Sequence, residues 1–358
     1  MIDIINRSTG PTNLPDKVRE TLSNQVISHR SVQFEKLIEN ITNNLSLMVN
    51  SPERPLLLTG SGTAGLDAGI SSIVTKSDTI LILSAGYYGN LLGAIAKTYC
   101  NNIDIINYEP GLPIDGNELR VILTKKSYDI VLMTHSESST GVLHPIKDII
   151  NTIKKYSDAL ILIDAVSSLG TTLINFKEWD IDLMVSATQK GIMSPPGVAI
   201  IFLSERAKKK VISNTANNFY YDLKKYISCM SNFQVPFTPA INTLFGLNTA
   251  LELIREEKLD NVYNRHNNAS KIIITTFDNS AVKLFAKSHH APGITSLLLP
   301  NNYDAVKIQQ YLANELNIFI STGLSFWTNN VLRIGHMGCF KLEEISRSAI
   351  SIRNSFKD

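Results

Sequence analysis

Long apolar runs are missing from this 358-residue chain, and both cysteine and net charge are scarce. No uninterrupted apolar stretch reaches bilayer-spanning length, so no membrane helix is expected. The three cysteines, Cys100, Cys229 and Cys339, lie far apart. Their spacing makes neither a disulfide framework nor a metal site and fits a reducing compartment. The net charge of +2 is spread rather than clustered, and the three lysines at 208–210 read as a solvated helix face. Charge thus gives no reason to expect nucleic acid or a membrane surface as partner. The opening MIDIINRSTGP has no basic stretch before a long apolar core, so no secretory signal is expected. The final SFKD is no address signal, and the cytoplasm is the expected compartment.

With 44% hydrophobic and 18% charged residues, the chain can bury a sizeable core without disulfides or metals. Short apolar runs alternate with helical patterns between residues 55 and 205. Strands are predicted at 55–59, 79–84, 103–108, 130–134, 159–163, 183–186 and 198–203. Amphipathic stretches lie between them at 64–74, 91–99 and 146–156. Near-continuous Ile, Leu and Val runs separated by helices predict an α/β domain with a mostly parallel, seven-stranded sheet covered on both faces. Ligands of such sheets sit beyond the carboxyl ends of the strands. After residue 210 the pattern changes. A helix at 219–230 leads through Pro236 and Pro239 into a long helical stretch at 241–277, which fits two successive helices. Strand-like runs at 295–299 and 331–335 alternate with helices at 305–316 and 342–355. The expected division is an N-terminal segment 1–14 lining the site, a large domain 15–245 and a small C-terminal α/β domain 246–358. Without a low-complexity linker, the domains should pack intimately.

Residues 60–65 spell GSGTAG, a GxGxxG pattern between a predicted strand and helix. A dinucleotide site also wants an acidic residue ending the next strand, but that strand ends in Ser84-Ala85-Gly86. No lysine follows the glycines, which removes a Walker-type loop. A small-residue turn opening a helix still presents free N–H groups and the positive end of a dipole, which suits a phosphate. Ser61 and Thr63 add hydroxyls; the plainer alternative is a tight turn capped by Ser61.

Asp164 ends an apolar run and should sit at the carboxyl edge of the sheet. A carboxylate there is costly unless paired. A protonated pyridine nitrogen is one such partner; an N-cap or an ion pair is another. Lys190 follows the next buried strand, where a lowered amine pKa would make it nucleophile and base. A lone lysine is otherwise a solvated tether. The two together point toward one site.

These residues stand in segments whose order and spacing resemble the class V aminotransferases, nearest the alanine–glyoxylate and serine–glyoxylate (serine–pyruvate) branch. The segments are GSGTA at 60–64, HSESSTGVL at 135–143, DAVSSLG at 164–170, SATQKG at 186–191 and PPG at 195–197. GPT at 10–12, SHRS at 28–31, PFTPA at 236–240 and LRIG at 332–335 extend the match over nearly the whole chain. The resemblance implies the aspartate-aminotransferase-like fold, type I, and pyridoxal 5′-phosphate held by Lys190 as a Schiff base. It implies that Asp164 pairs with the pyridine nitrogen, and that Val166 and Tyr88 pack on opposite ring faces. The family often has Phe or Trp where Tyr88 stands. Ser61, Gly62, Thr63 and Gln189 would bind the phosphate, and Ser138 would lie on the side of the ring oxygen. Thr238 would reach the phosphate of a neighbouring subunit, making a homodimer with shared sites. Arg333 would grip a substrate carboxylate with two parallel hydrogen bonds, although alone it reads as a surface strand residue. Gly10 would line the same pocket.

The implied reaction moves an amino group between a small amino acid, such as alanine or serine, and a 2-oxo acid, such as glyoxylate or pyruvate. Two rivals remain: a lyase on the same frame, for which Cys339 is the desulfurase-type candidate, and a non-catalytic subunit retaining the fold. Arg30 or Arg7 would have to enter the pocket for a second carboxylate to be held. His29, His135 and His144 lack metal-ligand spacing, and His135 reads as support for the turn after its strand; the pair His289-His290 reads as a loop, with an incidental metal contact as the lesser alternative. Tyr220 and Tyr221 read as packing or interface residues.

Overall fold

The structure, a computed structural model, describes residues 4–215, 218–278 and 280–356. Seven short runs rich in Ile, Leu and Val form the larger sheet: Leu56–Thr59, Ile80–Ser84, Ile103–Asn107, Ile130–Thr134, Leu160–Asp164, Leu183–Ala187 and Val198–Leu203. Each lies within two residues of its expected bounds. In space the order is 56–59, 198–203, 183–187, 160–164, 130–134, 80–84 and 103–107. Val198–Leu203 runs antiparallel to both neighbours, and the other pairs are parallel.

Successive strand residues feed opposite faces, as the period of two requires. Leu81, Leu83, Val131, Met133, Ile161 and Ile163 join one apolar cluster with the helices Val32–Met48, Ile146–Tyr156 and Ile241–Glu257. Ile80, Ile82, Ile130, Leu132, Leu160 and Leu162 join a second cluster with the helices Gly62–Ile73 and Tyr87–Tyr99. Burial on both faces explains why these strands read as continuous apolar runs.

The smaller sheet has the order 5–7, 318–322, 331–335, 294–298, 283–284. Two of its strands were expected, near 295–299 and 331–335. The other three are short or begin without a break: Ile318–Thr322 starts directly after Asn317, a left-handed helix cap with φ 52°. Ile5–Arg7 pairs in parallel with that strand, tying the N-terminal segment to the small sheet. The stretch 241–277 is two helices, Ile241–Glu257 and Leu259–Phe277, broken at Lys258 where φ is 70°. Leu244, Leu247 and Val262 pack in the first cluster of the large sheet, whereas Ala269, Ile273 and Phe277 pack in the small domain. The change of apolar partner therefore falls between Val262 and Ala269. Among the described residues, no helix is long and apolar enough to cross a membrane.

Candidate active site

Asp164 is the last residue of the central strand Leu160–Asp164, opposite Thr134 on one side and Val185 on the other. Its carboxylate is buried and accepts a 2.9 Å hydrogen bond from the Val166 N–H. Burial pushes its pKa up to about 6, the nearby Glu137 adds to this, and the Lys190 amine pulls the other way.

Lys190 sits in the turn after the neighbouring strand, Leu183–Ala187. The turn closes on itself: the Met193 N–H donates to the Lys190 carbonyl at 2.9 Å and the Ser194 N–H to the Thr188 carbonyl at 3.1 Å. Gly191 lets this turn meet the one after Asp164, since a Cβ at 191 would stand 2.4 Å from the Leu169 carbonyl oxygen. The N-terminal segment holds the other side. The Thr12 N–H and hydroxyl donate to the Gln189 and Lys190 carbonyls, both at 3.1 Å. The Lys190 Nζ itself bonds the Thr9 carbonyl. Gly10, at φ +115°, makes room for the lysine: a Cβ there would lie 2.6 Å from Lys190 Cδ. Burial pulls the amine down to about 8, and the Arg333 cation adds to this effect.

These groups face one cavity of ≈ 230 Å³. Gly10, Ser61, Gly62, Thr63, Tyr88, Ser138, Asp164, Val166, Gln189 and Lys190 all line it. At one end lies the N-terminus of the helix Gly62–Ile73, with the Ser61 side chain accepting from the Ala64 N–H at 3.3 Å. Helix geometry leaves the Gly62 and Thr63 N–H groups without intrahelical acceptors. A side chain at 62 is excluded, because its Cβ would stand 2.8 Å from Val166 Cγ2. The Ser138 hydroxyl is held by Ser167 at 2.7 Å, and the Gln189 Oε1 is buried without a partner. An anion-binding helix end, a buried carboxylate and a buried amine around one ring-sized space fit a phosphorylated, cationic, carbonyl-bearing cofactor.

Two expected site residues stand outside the lining. Arg333 is buried on the small-domain strand Val331–Gly335; its Nε donates to the Thr322 carbonyl at 2.8 Å, and its cation interacts electrostatically with the Tyr88 side chain. Thr238 is exposed, next to Phe237, whose ring stacks on Tyr220 at 4.7 Å. Arg7 is committed to Ser348 and Glu344, and Arg30 to Gln234 and the Val235 and Pro236 carbonyls. Neither lines the cavity.

One residue that sequence reasoning left inside a motif is Glu137. Fully buried, it accepts from the Tyr88, Gly89 and Ser139 N–H groups at 3.3, 3.0 and 3.1 Å and from the Ser139 hydroxyl at 2.5 Å. It thereby caps the helix Tyr87–Tyr99. The available signal was that this helix begins after Gly86, which has no side chain to cap it. The His135 backbone N–H donates to the Asp164 carbonyl at 2.8 Å, while its ring Nδ1 is buried without a partner; burial lowers its imidazole to about 3, so the ring is neutral. Cys339 is half-buried, does not line the cavity, and has its thiol pKa raised by burial.

The doubly covered sheet, with acid and amine at its carboxyl edge, is the architecture of the type I pyridoxal-phosphate fold. The family described as Aminotransferase class-V matches residues 4–357. The chain is similar to an uncharacterized aminotransferase of Methanocaldococcus jannaschii, 33% identical over 98% of this chain and 91% of that protein. It is also similar to a soluble hydrogenase small subunit of Synechococcus, 30% identical over 92% of this chain and 86% of that protein. Among solved structures, alanine–glyoxylate aminotransferase from Nostoc matches with a TM-score of 0.94 and 27% identity, covering 100% of this chain and 96% of that one. The chain belongs to the class V aminotransferases and is a pyridoxal-phosphate-dependent enzyme acting on an amino acid and a 2-oxo acid.

Proposed function

We propose that this enzyme moves an amino group between a small amino acid, alanine or serine, and a small 2-oxo acid, glyoxylate or pyruvate. The observation that carries the reading is the convergence of Asp164 and Lys190 on one small cavity with a helix N-terminus at its edge. Likeness to the Nostoc alanine–glyoxylate enzyme supports the substrate class. Arg7 and Arg30, both engaged elsewhere, favour a substrate with a single carboxylate.

In this reading Ser61, Gly62, Thr63 and Gln189 would hold the phosphate, Asp164 would keep the pyridine nitrogen protonated, and Val166 and Tyr88 would pack against the ring. Ser138 would lie on the side of the ring oxygen. Bound pyridoxal phosphate supplies the electron sink that lets the substrate Cα give up its proton. Lys190 would hold the cofactor covalently, and its amine, once free, would take up and return the substrate's Cα proton, a task its lowered pKa suits. Gly10 keeps the space in which the lysine side chain moves, and Arg333 holds the substrate carboxylate. Thr238 would reach the phosphate of a second subunit in a homodimer, and the exposed rings of Phe219 and Tyr220, packed on the half-buried Phe237 beside it, support such a contact. The expected compartment is the cytoplasm.

A desulfurase-type reaction would need a mobile, reactive thiol, and Cys339 has the opposite environment. Half-reaction spectroscopy tests the proposal. Alanine or serine alone should convert the bound cofactor to its amine form with release of the 2-oxo acid. Steady pyruvate release from serine or cysteine with no amino acceptor present would count for a lyase instead.

A further inference from the structure

Arg333 meets the cavity only by way of Tyr88. The arginine does not line that space, whereas Tyr88 does, and the guanidinium is close enough to the Tyr88 side chain for the two to interact electrostatically. Of the guanidinium nitrogens, Nε is committed to the Thr322 carbonyl and Nη1 is buried with no hydrogen-bond partner. Stacking against a ring face requires no hydroxyl. A phenol that accepts from a guanidinium N–H still has its own proton to donate. Burial keeps that phenol protonated, with its pKa raised.

The backbone beneath Tyr88 is fixed. Glu137 accepts from the Tyr88 and Gly89 N–H groups, and the Ser139 hydroxyl accepts from the Tyr87 N–H at 3.0 Å. A Cβ on Gly86 would stand 2.7 Å from the Glu137 carboxyl carbon, so the turn admits that carboxylate only with glycine at 86. The phenol is thus set in place before substrate arrives, with an unsatisfied guanidinium nitrogen nearby.

We propose that Tyr88 and Arg333 form a joint clamp for the substrate carboxylate, the hydroxyl accepting an Arg333 N–H while donating its own proton to one carboxylate oxygen, and Nη1 of Arg333 serving the other. The clamp rests on the reading of Arg333 as the carboxylate handle. It gives Tyr88 a second task beyond packing on the ring, one that phenylalanine could not perform. Amino donor and 2-oxo acceptor both carry the carboxylate, so both should feel its loss.

The test compares holoenzyme carrying Tyr88→Phe with holoenzyme carrying Arg333→Ala, using alanine, glyoxylate and alaninamide, which lacks the carboxylate. Y88F should raise KM for alanine and for glyoxylate by about tenfold or more, the scale of a hydrogen bond to a charged group. Its bound cofactor should keep the parent absorption spectrum, and its reaction with alaninamide should change far less than that with alanine. If Y88F leaves both KM values unchanged while R333A raises them, the clamp is overturned and the Arg333 reading stands. If R333A also leaves them unchanged, the Arg333 reading falls and takes the clamp with it. Loss of cofactor from Y88F, or equal slowing with alaninamide, would assign the hydroxyl to cofactor packing and overturn the clamp.

Discussion

Lys190 and Asp164 are ionisable groups held where burial penalises their charged forms, and each responds as electrostatics requires. The amine falls to about 8 and the carboxyl rises to about 6. Only the neutral amine can attack the cofactor aldehyde. Reconstitution of the apo-protein should therefore quicken as pH rises through about 8 and level off above it, as stopped-flow absorbance would show. A rate independent of pH from 6 to 10 would contradict that assignment. Lys190→Ala should abolish the absorption of covalently held cofactor and lower turnover by at least about 10²–10⁴-fold. Gly10 is a steric counterpart: at φ +115° and 2.6 Å from the lysine side chain, an added Cβ is both strained and obstructive. Gly10→Ala should thus reduce kcat more than it reduces thermal stability, where a strained residue costs about 1–3 kcal/mol.

At the level of elements, the site exists because turns from different strands lock together. The turns after Asp164 and Lys190 touch backbone to backbone at Gly170 and Gly191. Gly191→Ala would drive a Cβ to 2.4 Å from the Leu169 carbonyl oxygen, forcing the two turns apart. An overpacking cost of about 1–3 kcal/mol is expected, visible as a lowered Tm together with weaker cofactor binding. An unchanged Tm would mean that the turns move independently. Ser61 shows how legible a single element can be. A helix opening on small residues after a strand reads as an anion site from sequence, and the structure puts that N-terminus on the cavity. The capping of the helix Tyr87–Tyr99 by Glu137 was not legible, because donor and acceptor lie 48 to 49 residues apart.

For the molecule as a whole, the proposed dimer makes the exposed aromatic patch around Phe237 part of the active unit. Phe237→Ala should weaken self-association, so that light scattering and activity both become concentration-dependent and cofactor is lost on dilution. A variant that stays dimeric with undiminished cofactor affinity would remove that patch from the interface. The N-terminal segment links the two sheets: Ile5–Arg7 joins the small sheet, and Thr12 holds the Lys190 turn of the large one. Movement of the small domain would therefore be felt at the lysine.

The seven strands of the large sheet were readable from the chain alone because each is buried on both faces and carries an apolar run that nothing else explains. Asp164 and Lys190 were readable because a charged residue ending such a run stands out. Tertiary structure decided what depends on contacts between distant segments. Strands of two or three residues carry no periodicity, so the N-terminal and edge strands of the small sheet emerge only when they pair. Two arginines with no distinguishing neighbours in sequence proved to be engaged elsewhere, and a third was found within electrostatic reach of the aromatic residue that lines the cavity. Local pattern records whether a side chain will be buried; which partner meets it there is settled only when the whole chain has folded.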